Sequence, residues 1–343
     1  MKRLGNVYEK VISKENLRVS LHNACKGKNS YASVRYIKKH IDEHIDSLHE
    51  MLKNEEYTVS KYREKKIYEP KERLISILPL YPDRIIQHAI MSVIENYWDS
   101  LMIYDSYSCR VGKGQHVGSI KCMGHCRKYK YVLKCDISKF YPSLDHDILK
   151  SIVRRKIKDT KLIRLINIII DSYGDTKGVP IGSYLSQWLG NLYMNDLDMH
   201  VKHTLKCRAY IRYCDDFVIF SNSKEELRHI KEDVVMFCSG LKLKMSKCEL
   251  FPTTQGVDFL GYRHFPDGKI LLRKRTAKKF KRNVKSLESM LYNNTISLDS
   301  ARSKIASMQG WLKHANTYNF SNSLKLTKLK DVINERLSKE FKH

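Results

Sequence analysis

An α+β fold is predicted for this chain of 343 residues from three observations. Short runs of β-favouring residues, bounded by acids and turn formers, recur through its middle. Apolar residues at three- and four-residue steps mark helices before, between and after those runs. Beyond about residue 270 the strands give way to helical periodicity on a densely basic background.

Composition narrows the class. The length fits one large domain or two to three subdomains, and 42% hydrophobic residues exclude a disordered chain. Lys and Arg number 63 against 37 Asp and Glu, a net charge of +26, and the pI is about 9.6. An excess that large implies a polyanionic partner bound in a salt-dependent way; a generally basic soluble protein is the plainer alternative. No apolar run reaches the ~18 residues of a membrane span. Met1-Lys2-Arg3-Leu4-Gly5-Asn6 leads into charged sequence without the apolar core of a secretion signal. Nine cysteines at irregular spacing fit a reducing cytoplasm better than a disulfide framework. The tight group Cys122-Met123-Gly124-His125-Cys126 falls short of the four ligands of a zinc site, and a structural role is favoured.

The elements follow in order. Val34, Ile37, Ile41, Ile45, Leu48 and Leu52 predict one long amphipathic helix in a basic N-terminal region. Lys65 to Ile77, with Pro70 at its turn, predicts a basic hairpin. Asp83 to Trp98 is a second helix whose apolar face is too wide for solvent. Ser106 to Gly118 reads as a basic, glycine-bearing loop suited to phosphates. Tyr131 to Ile137 is a strand carrying Asp136 near its end, followed by helices at 146–158 and 161–173. Gly178 to Gln187 reads as a loop, Trp188 to His203 as a helix, and 224–241 as another. Lys242 to Leu260 supplies short strands. Phe280, Val284, Leu287, Leu291 and then Leu298, Ala301, Ile305, Met308, Leu312 mark a separate helical subdomain with a basic edge. There is no internal repeat, low-complexity stretch or long linker.

The chemistry centres on Tyr213-Cys214-Asp215-Asp216, set between Arg208-Ala209-Tyr210-Ile211-Arg212 and Phe217-Val218-Ile219-Phe220. This reads as a β-hairpin with two carboxylates at its tip. Two anions buried between such strands are costly unless a cation neutralises them, although adjacent acids also form solvated turns. With Asp136 they make three strand-borne acids, a set suited to two-metal phosphoryl transfer.

Around these acids the chain resembles reverse transcriptases over most of its length. The resemblance rests on Glu69-Pro70-Lys71-Glu72-Arg73-Leu74-Ile75, Ser106-Tyr107-Ser108-Cys109-Arg110, Asp136-Ile137-Ser138-Lys139-Phe140-Tyr141, the Tyr213-Cys214-Asp215-Asp216 box, Lys242-Leu243-Lys244-Met245-Ser246-Lys247 and Phe259-Leu260-Gly261-Tyr262. It implies a right-hand polymerase: fingers with an N-terminal extension over 1–120, a palm of antiparallel sheet and helices over 121–268, and a helical thumb over 269–343. It also implies two Mg²⁺ ions, with Mn²⁺ able to substitute, held by Asp136, Asp215 and Asp216 with Ile137 beside them. Arg73 and Arg110 would hold the incoming triphosphate, a task suited to guanidinium. Tyr141 matches the steric gate against a ribose 2′-OH, Tyr213 would pack beneath the primer end, and Lys247 resembles a general acid near pyrophosphate. The plainer reading is surface charge for Arg73 and Arg110, an ordinary core aromatic for Tyr141, and one lysine among many for Lys247. Cys214 fills the variable position of the box; small-residue packing is favoured over a redox-sensitive thiol.

The loop Val179-Pro180-Ile181-Gly182-Ser183-Tyr184-Leu185-Ser186-Gln187 narrows the family. Most reverse transcriptases carry Gln where Ile181 stands. The stretch from Ile181 through Gly182 to Gln187 is similar to the signature of diversity-generating retroelement enzymes. Glutamine offers a donor and an acceptor, isoleucine only bulk. Mispair discrimination resting on hydrogen bonds worth about 1–3 kcal/mol is then weakened. The resemblance implies error-prone copying of template adenines from a template-repeat RNA, with dNTPs, a primer and cDNA, and a small basic accessory protein as partner. It also implies a cytoplasmic enzyme encoded by a bacterium, an archaeon or a phage. The length leaves no room beyond the thumb for an RNase H, endonuclease or maturase-type extension. A phage-defence or retron-like enzyme of ordinary fidelity is the neighbouring reading. A non-catalytic RNA-binding scaffold is the reading of another class, although it has no need of three acids in so basic a chain.

Overall fold

A computed structural model of the chain describes residues 2–68 and 72–340. The N-terminal region is α1 (Tyr8–Ile12), α2 (Lys14–Cys25), α3 (Ala32–Lys39) and α4 (Ile41–Lys53). The single long helix expected over residues 34–52 is therefore two. His40 leaves helical geometry (φ −118°, ψ 42°), and its ring packs on Tyr36, centroids 4.8 Å apart. The apolar face continues across this break, which is why its period does not reveal it: Val34, Ile37, Ile45, Leu48 and Leu52 are all buried.

Next comes the hairpin β1 (Arg63–Ile67) and β2 (Arg73–Ile77), antiparallel with Ile67 opposite Arg73. The expected proline turn, Glu69-Pro70-Lys71, lies outside the described residues. α5 (Ile85–Leu101) and α6 (Gln115–Lys128) follow, so the expected loop ends at Gly114, four residues before Gly118. Then come β3 (Tyr131–Ile137), α7 (Phe140–Ser143), α8 (His146–Lys156), α9 (Thr160–Asp171), α10 (Tyr184–Met199), β4 (Tyr210–Tyr213), β5 (Asp216–Ser221), α11 (Lys224–Gly240) and β6 (Met245–Pro252). α10 starts four residues earlier than its apolar pattern suggests. Ser183 caps it, its Oγ accepting the Ser186 N–H, as an N-cap serine does.

The chain ends with β7 (Val257–Phe259), β8 (Tyr262–His264), β9 (Ile270–Leu272), α12 (Lys274–Tyr292), α13 (Leu298–Lys313), α14 (Tyr318–Ser323) and α15 (Leu326–Glu340). Strands β8 and β9 were not expected; at three residues each they are too short to show alternation. The sheets have the orders β1-β2, β4-β5-β3-β6 and β7-β8-β9. This mixture of helices and sheet is the α+β class expected from the sequence.

The chain forms two compact units: Met1–Val111, Cys135–Arg208 and Ile230–Cys248 in the first, Gly112–Lys134, Ala209–His229 and Glu249–His343 in the second. In the first, α5 is buried on nearly every side through Ile85, Ile86, Ala89, Ile90, Met91, Ile94 and Trp98, and it packs against α2 and α10. In the second, the terminal helices enclose a core of Phe280, Val284, Leu287, Leu291, Ala301, Ile305, Met308 and Leu312 with Leu324, Leu326 and Ile333. Among the described residues no helix is long and apolar enough to cross a membrane.

Candidate functional site

In the first unit, Asp136 stands next to last in β3 and is half-buried. The Ser246 hydroxyl donates to its Oδ2 at 2.6 Å and to its carbonyl at 3.2 Å. The Ser138 N–H reaches Lys244 O at 2.7 Å, so β6 backs this acid along the strand. The chain then turns through Lys139 in the left-handed region (φ 45°), an uncommon conformation for a residue with a side chain, and enters α7. Tyr141, half-buried, meets Phe140 edge-on at 5.2 Å. Gly190 on α10 gives these rings room: a Cβ there would lie 3.1 Å from Phe140 and 3.2 Å from Tyr141.

Three further contacts gather the predicted binding residues of this unit. The Val179 N–H donates to Tyr141 O at 3.0 Å, and the Ser76 N–H to Ile181 O at 3.2 Å. Gly182 (φ 107°) lies close to Ile75, whose Cγ2 would sit 3.0 Å from an added Cβ. The loop at 179–182 is thus tied both to the turn after Asp136 and to β2, where Arg73 is exposed. Ile181 itself is half-buried. Ser183 anchors the end of the loop, donating to Gln87 Oε1 of α5 at 2.8 Å, and Tyr184 donates to Glu95 at 2.8 Å. Gln187 Oε1 accepts from the Cys109 thiol at 3.2 Å.

Arg110 is arranged differently from the sequence expectation. Its side chain is 7% exposed and pairs with Asp99 through Nε at 2.6 Å. Nη1 donates to the carbonyls of Ile103 (2.6 Å) and Ser106 (3.0 Å), and Nη2 to Asp99. Every nitrogen of the guanidinium is engaged, by Asp99 in the last turn of α5 or by carbonyls of the segment that follows it. In this conformation Arg110 pins residues 99–110 instead of offering donors to a triphosphate. Lys247, by contrast, is exposed on β6.

In the second unit, β4 and β5 pair antiparallel with Tyr213 opposite Asp216, leaving Cys214 and Asp215 as a two-residue turn. Cys214 takes φ 54°, and its carbonyl accepts from Arg212 Nη1 at 2.9 Å. Arg212 is fully buried. Tyr213, Cys214, Asp215 and Asp216 are all half-buried, so the acids stand at the strand ends, as expected from the pattern. Cys122 and Cys126 are buried on α6; burial, with Cys126 and Asp216 adding to it, pushes the Cys122 thiol up.

Carboxylate oxygens are the hard donors that divalent cations such as Mg²⁺ take, and Asp136 keeps exposed surface beyond its Ser246 bond. The donor chemistry therefore suits such ions. Among the described residues no three His, Cys, Asp or Glu side chains gather into a metal-holding group by themselves.

Sequence reasoning passed over Ser246, Arg212 and the Gln87–Ser183 pair. Arg212 had a signal, a lone charge in the otherwise apolar and aromatic run of β4. Ser246 and Gln87 had none, because their partners are distant in sequence.

The family profile described as "Reverse transcriptase (RNA-dependent DNA polymerase)" matches residues 59–264, more than half of the chain. The chain is 26% identical over 248 residues to "Protein YkfC" of Escherichia coli, covering 58% of this chain and 63% of that protein. It is 24% identical over 259 residues to "Group II intron-encoded protein LtrA" of Lactococcus lactis, covering 54% of this chain and 43% of that one. Among solved structures, apo telomerase from Candida tropicalis is similar with a TM-score of 0.49 at 14% identity, over 81% of this chain and 63% of that one. The chain thus spans 63% and 43% of the length of these two curated relatives.

Proposed function

The chain belongs to the reverse transcriptase family, and from that premise we propose that it is an RNA-directed DNA polymerase of a diversity-generating retroelement. It copies a template-repeat RNA into cDNA from dNTPs, with errors concentrated at template adenines. Fingers, palm and thumb follow the divisions 1–120, 121–268 and 269–343. Its partners are the template RNA, the primer and growing cDNA, and a small basic accessory protein oligomer; its setting is the cytoplasm of a bacterium, an archaeon or a phage-infected host.

Asp136, Asp215 and Asp216, with Ile137 beside them, would hold two divalent ions, Mg²⁺ or Mn²⁺. Such ions would supply charge neutralisation for phosphoryl transfer. The chain's own residues do the positioning. Ser246 orients Asp136 through its 2.6 Å bond, and Arg212 steadies the turn through the Cys214 carbonyl. Arg73, exposed at the start of β2, offers bidentate donors to the triphosphate. Tyr141 fills the space of a 2′-OH, Tyr213 supports the primer end, and Lys247 stands near the leaving pyrophosphate.

The observation that carries the narrower reading is Ile181. Its backbone is tied to β2 through Ser76, while its side chain brings no hydrogen-bonding group to the loop that also holds Gly182 and Gln187. A second reading, a retron-like or phage-defence enzyme of ordinary fidelity, is favoured by the similarity to an intron-encoded protein. Primer extension on a defined RNA with Mg²⁺, followed by sequencing of the cDNA, separates the two. Asp215→Ala and Asp216→Ala abolish synthesis on the polymerase reading; surviving synthesis would sink it. Errors clustered opposite adenines support the retroelement reading, and accurate copying supports the second.

A further inference from the structure

Cys135 and Cys248 are 113 positions apart, yet their sulfurs lie 3.2 Å from each other. Cys135 immediately precedes Asp136 in β3 and is fully buried. Cys248 follows Lys247 in β6 and is partly exposed. The burial alternation of β6 breaks just before it, at the two exposed residues Ser246 and Lys247, and its thiol meets Cys135 from there. Neighbouring strands of one sheet therefore bring two thiols together, one of them reachable from solvent. Nothing in the polymerase reading uses either.

We propose that Cys135 and Cys248 are a redox modification site, closing reversibly to a disulfide that staples β3 to β6 and silences the adjacent acid. The oxidant is a peroxide. The Cys248 thiolate attacks one peroxide oxygen, breaking the O–O bond and releasing hydroxide, and becomes a sulfenic acid. The Cys135 thiol then attacks that sulfur, the S–O bond breaks, and the hydroxyl leaves as water with the thiol proton. Two thiols and one hydrogen peroxide give one disulfide and two waters. Cys248 suits the attacking role: the hydrogen bond with Cys135 holds its thiol below the usual range, the Lys231 ammonium acts the same way, and burial opposes both. A dithiol reductant reverses the bond by exchange.

Closure draws the sulfurs from 3.2 Å to about 2.05 Å. The pull falls on the residue next to Asp136 and two residues from Ser246, the serine that holds its carboxylate. A misplacement of about 1 Å costs on the order of a hundredfold in rate. The effect on synthesis rests on the polymerase reading; the bond does not.

The test treats the full chain with hydrogen peroxide and digests it with trypsin without reduction. The expected product joins the peptide at 135–139 to the peptide at 248–263, each carrying one cysteine. Primer extension falls on the order of a hundredfold, recovers with dithiothreitol, and is retained by peroxide-treated Cys248→Ser. Absence of the joined peptide, with oxidation only at Cys109 or Cys214, overturns the proposal. So does a joined peptide that leaves synthesis unchanged. A fully reduced protein without synthesis counts against the polymerase reading instead, and the joined peptide is still scored by mass.

Discussion

Ser183→Ala removes one oxygen that does two jobs. The hydroxyl accepts the Ser186 N–H at the start of α10 and donates to Gln87 Oε1 at 2.8 Å. Loss of an N-cap serine costs about 1 kcal/mol. Gln87 is 2% exposed, and its Nε2 has no partner among the described residues. Stranding its Oε1 as well adds about 1–3 kcal/mol, so the variant is expected to lose about 2–4 kcal/mol in total. Urea titration followed by far-UV circular dichroism measures this. Gln87→Leu combined with Ser183→Ala removes both polar partners and recovers all but the cap contribution. A Ser183→Ala protein within about 0.5 kcal/mol of the parent, the ordinary spread for surface changes, would refute the reasoning. So would a double variant no more stable than the single one. Because Ser183 closes the loop that holds Ile181, the single variant is also expected to broaden the error spectrum.

Three other outcomes follow. Tyr141→Ala admits ribonucleotides, read as ribonucleotide content of alkali-treated cDNA; unchanged discrimination removes the gate. Ile181→Gln restores a donor and an acceptor to the loop and lowers errors opposite adenines; an unchanged spectrum returns Ile181 to packing alone. Burial pushes His264 down to about 4, while the unfolded chain protonates near 6.5. The unfolded state therefore binds more protons between those values, and stability falls as pH drops from about 6.5 to about 4, by on the order of 3 kcal/mol. Trp311 fluorescence during urea unfolding reports this, since Trp311 stacks on Tyr262 beside His264. His264→Gln is expected to lose that slope.

What was legible in the sequence followed from periodicity. Phe280, Val284, Leu287 and Leu291 repeat at helical spacing, and burial follows that spacing one for one. The acidic hairpin was legible because apolar runs bracket a two-residue turn. The start of α10 was not, because glycine, proline and serine mark a loop and a cap alike, and only the Ser183–Ser186 bond separates them. The break at His40 leaves no trace in an apolar face that continues on both sides. For Arg110 the composition shows a charge but not its partners; Asp99 and two carbonyls use it up. Ser246 and Cys248 matter through strands that pair across more than a hundred residues.

If Tyr141 is the gate, Gly190 bears on substrate choice. It packs against Phe140 and Tyr141, and a methyl group there would press on both rings at 3.1 and 3.2 Å. On the gate reading, the tolerance for sugars is then set in part by the helix position that packs against the gate ring. Enlarging residue 190 would oblige those rings to give by a few tenths of an ångström, and a changed exclusion of ribose with the gate ring itself unaltered is the expected readout. On that reading selectivity has a set-screw as well as a gate.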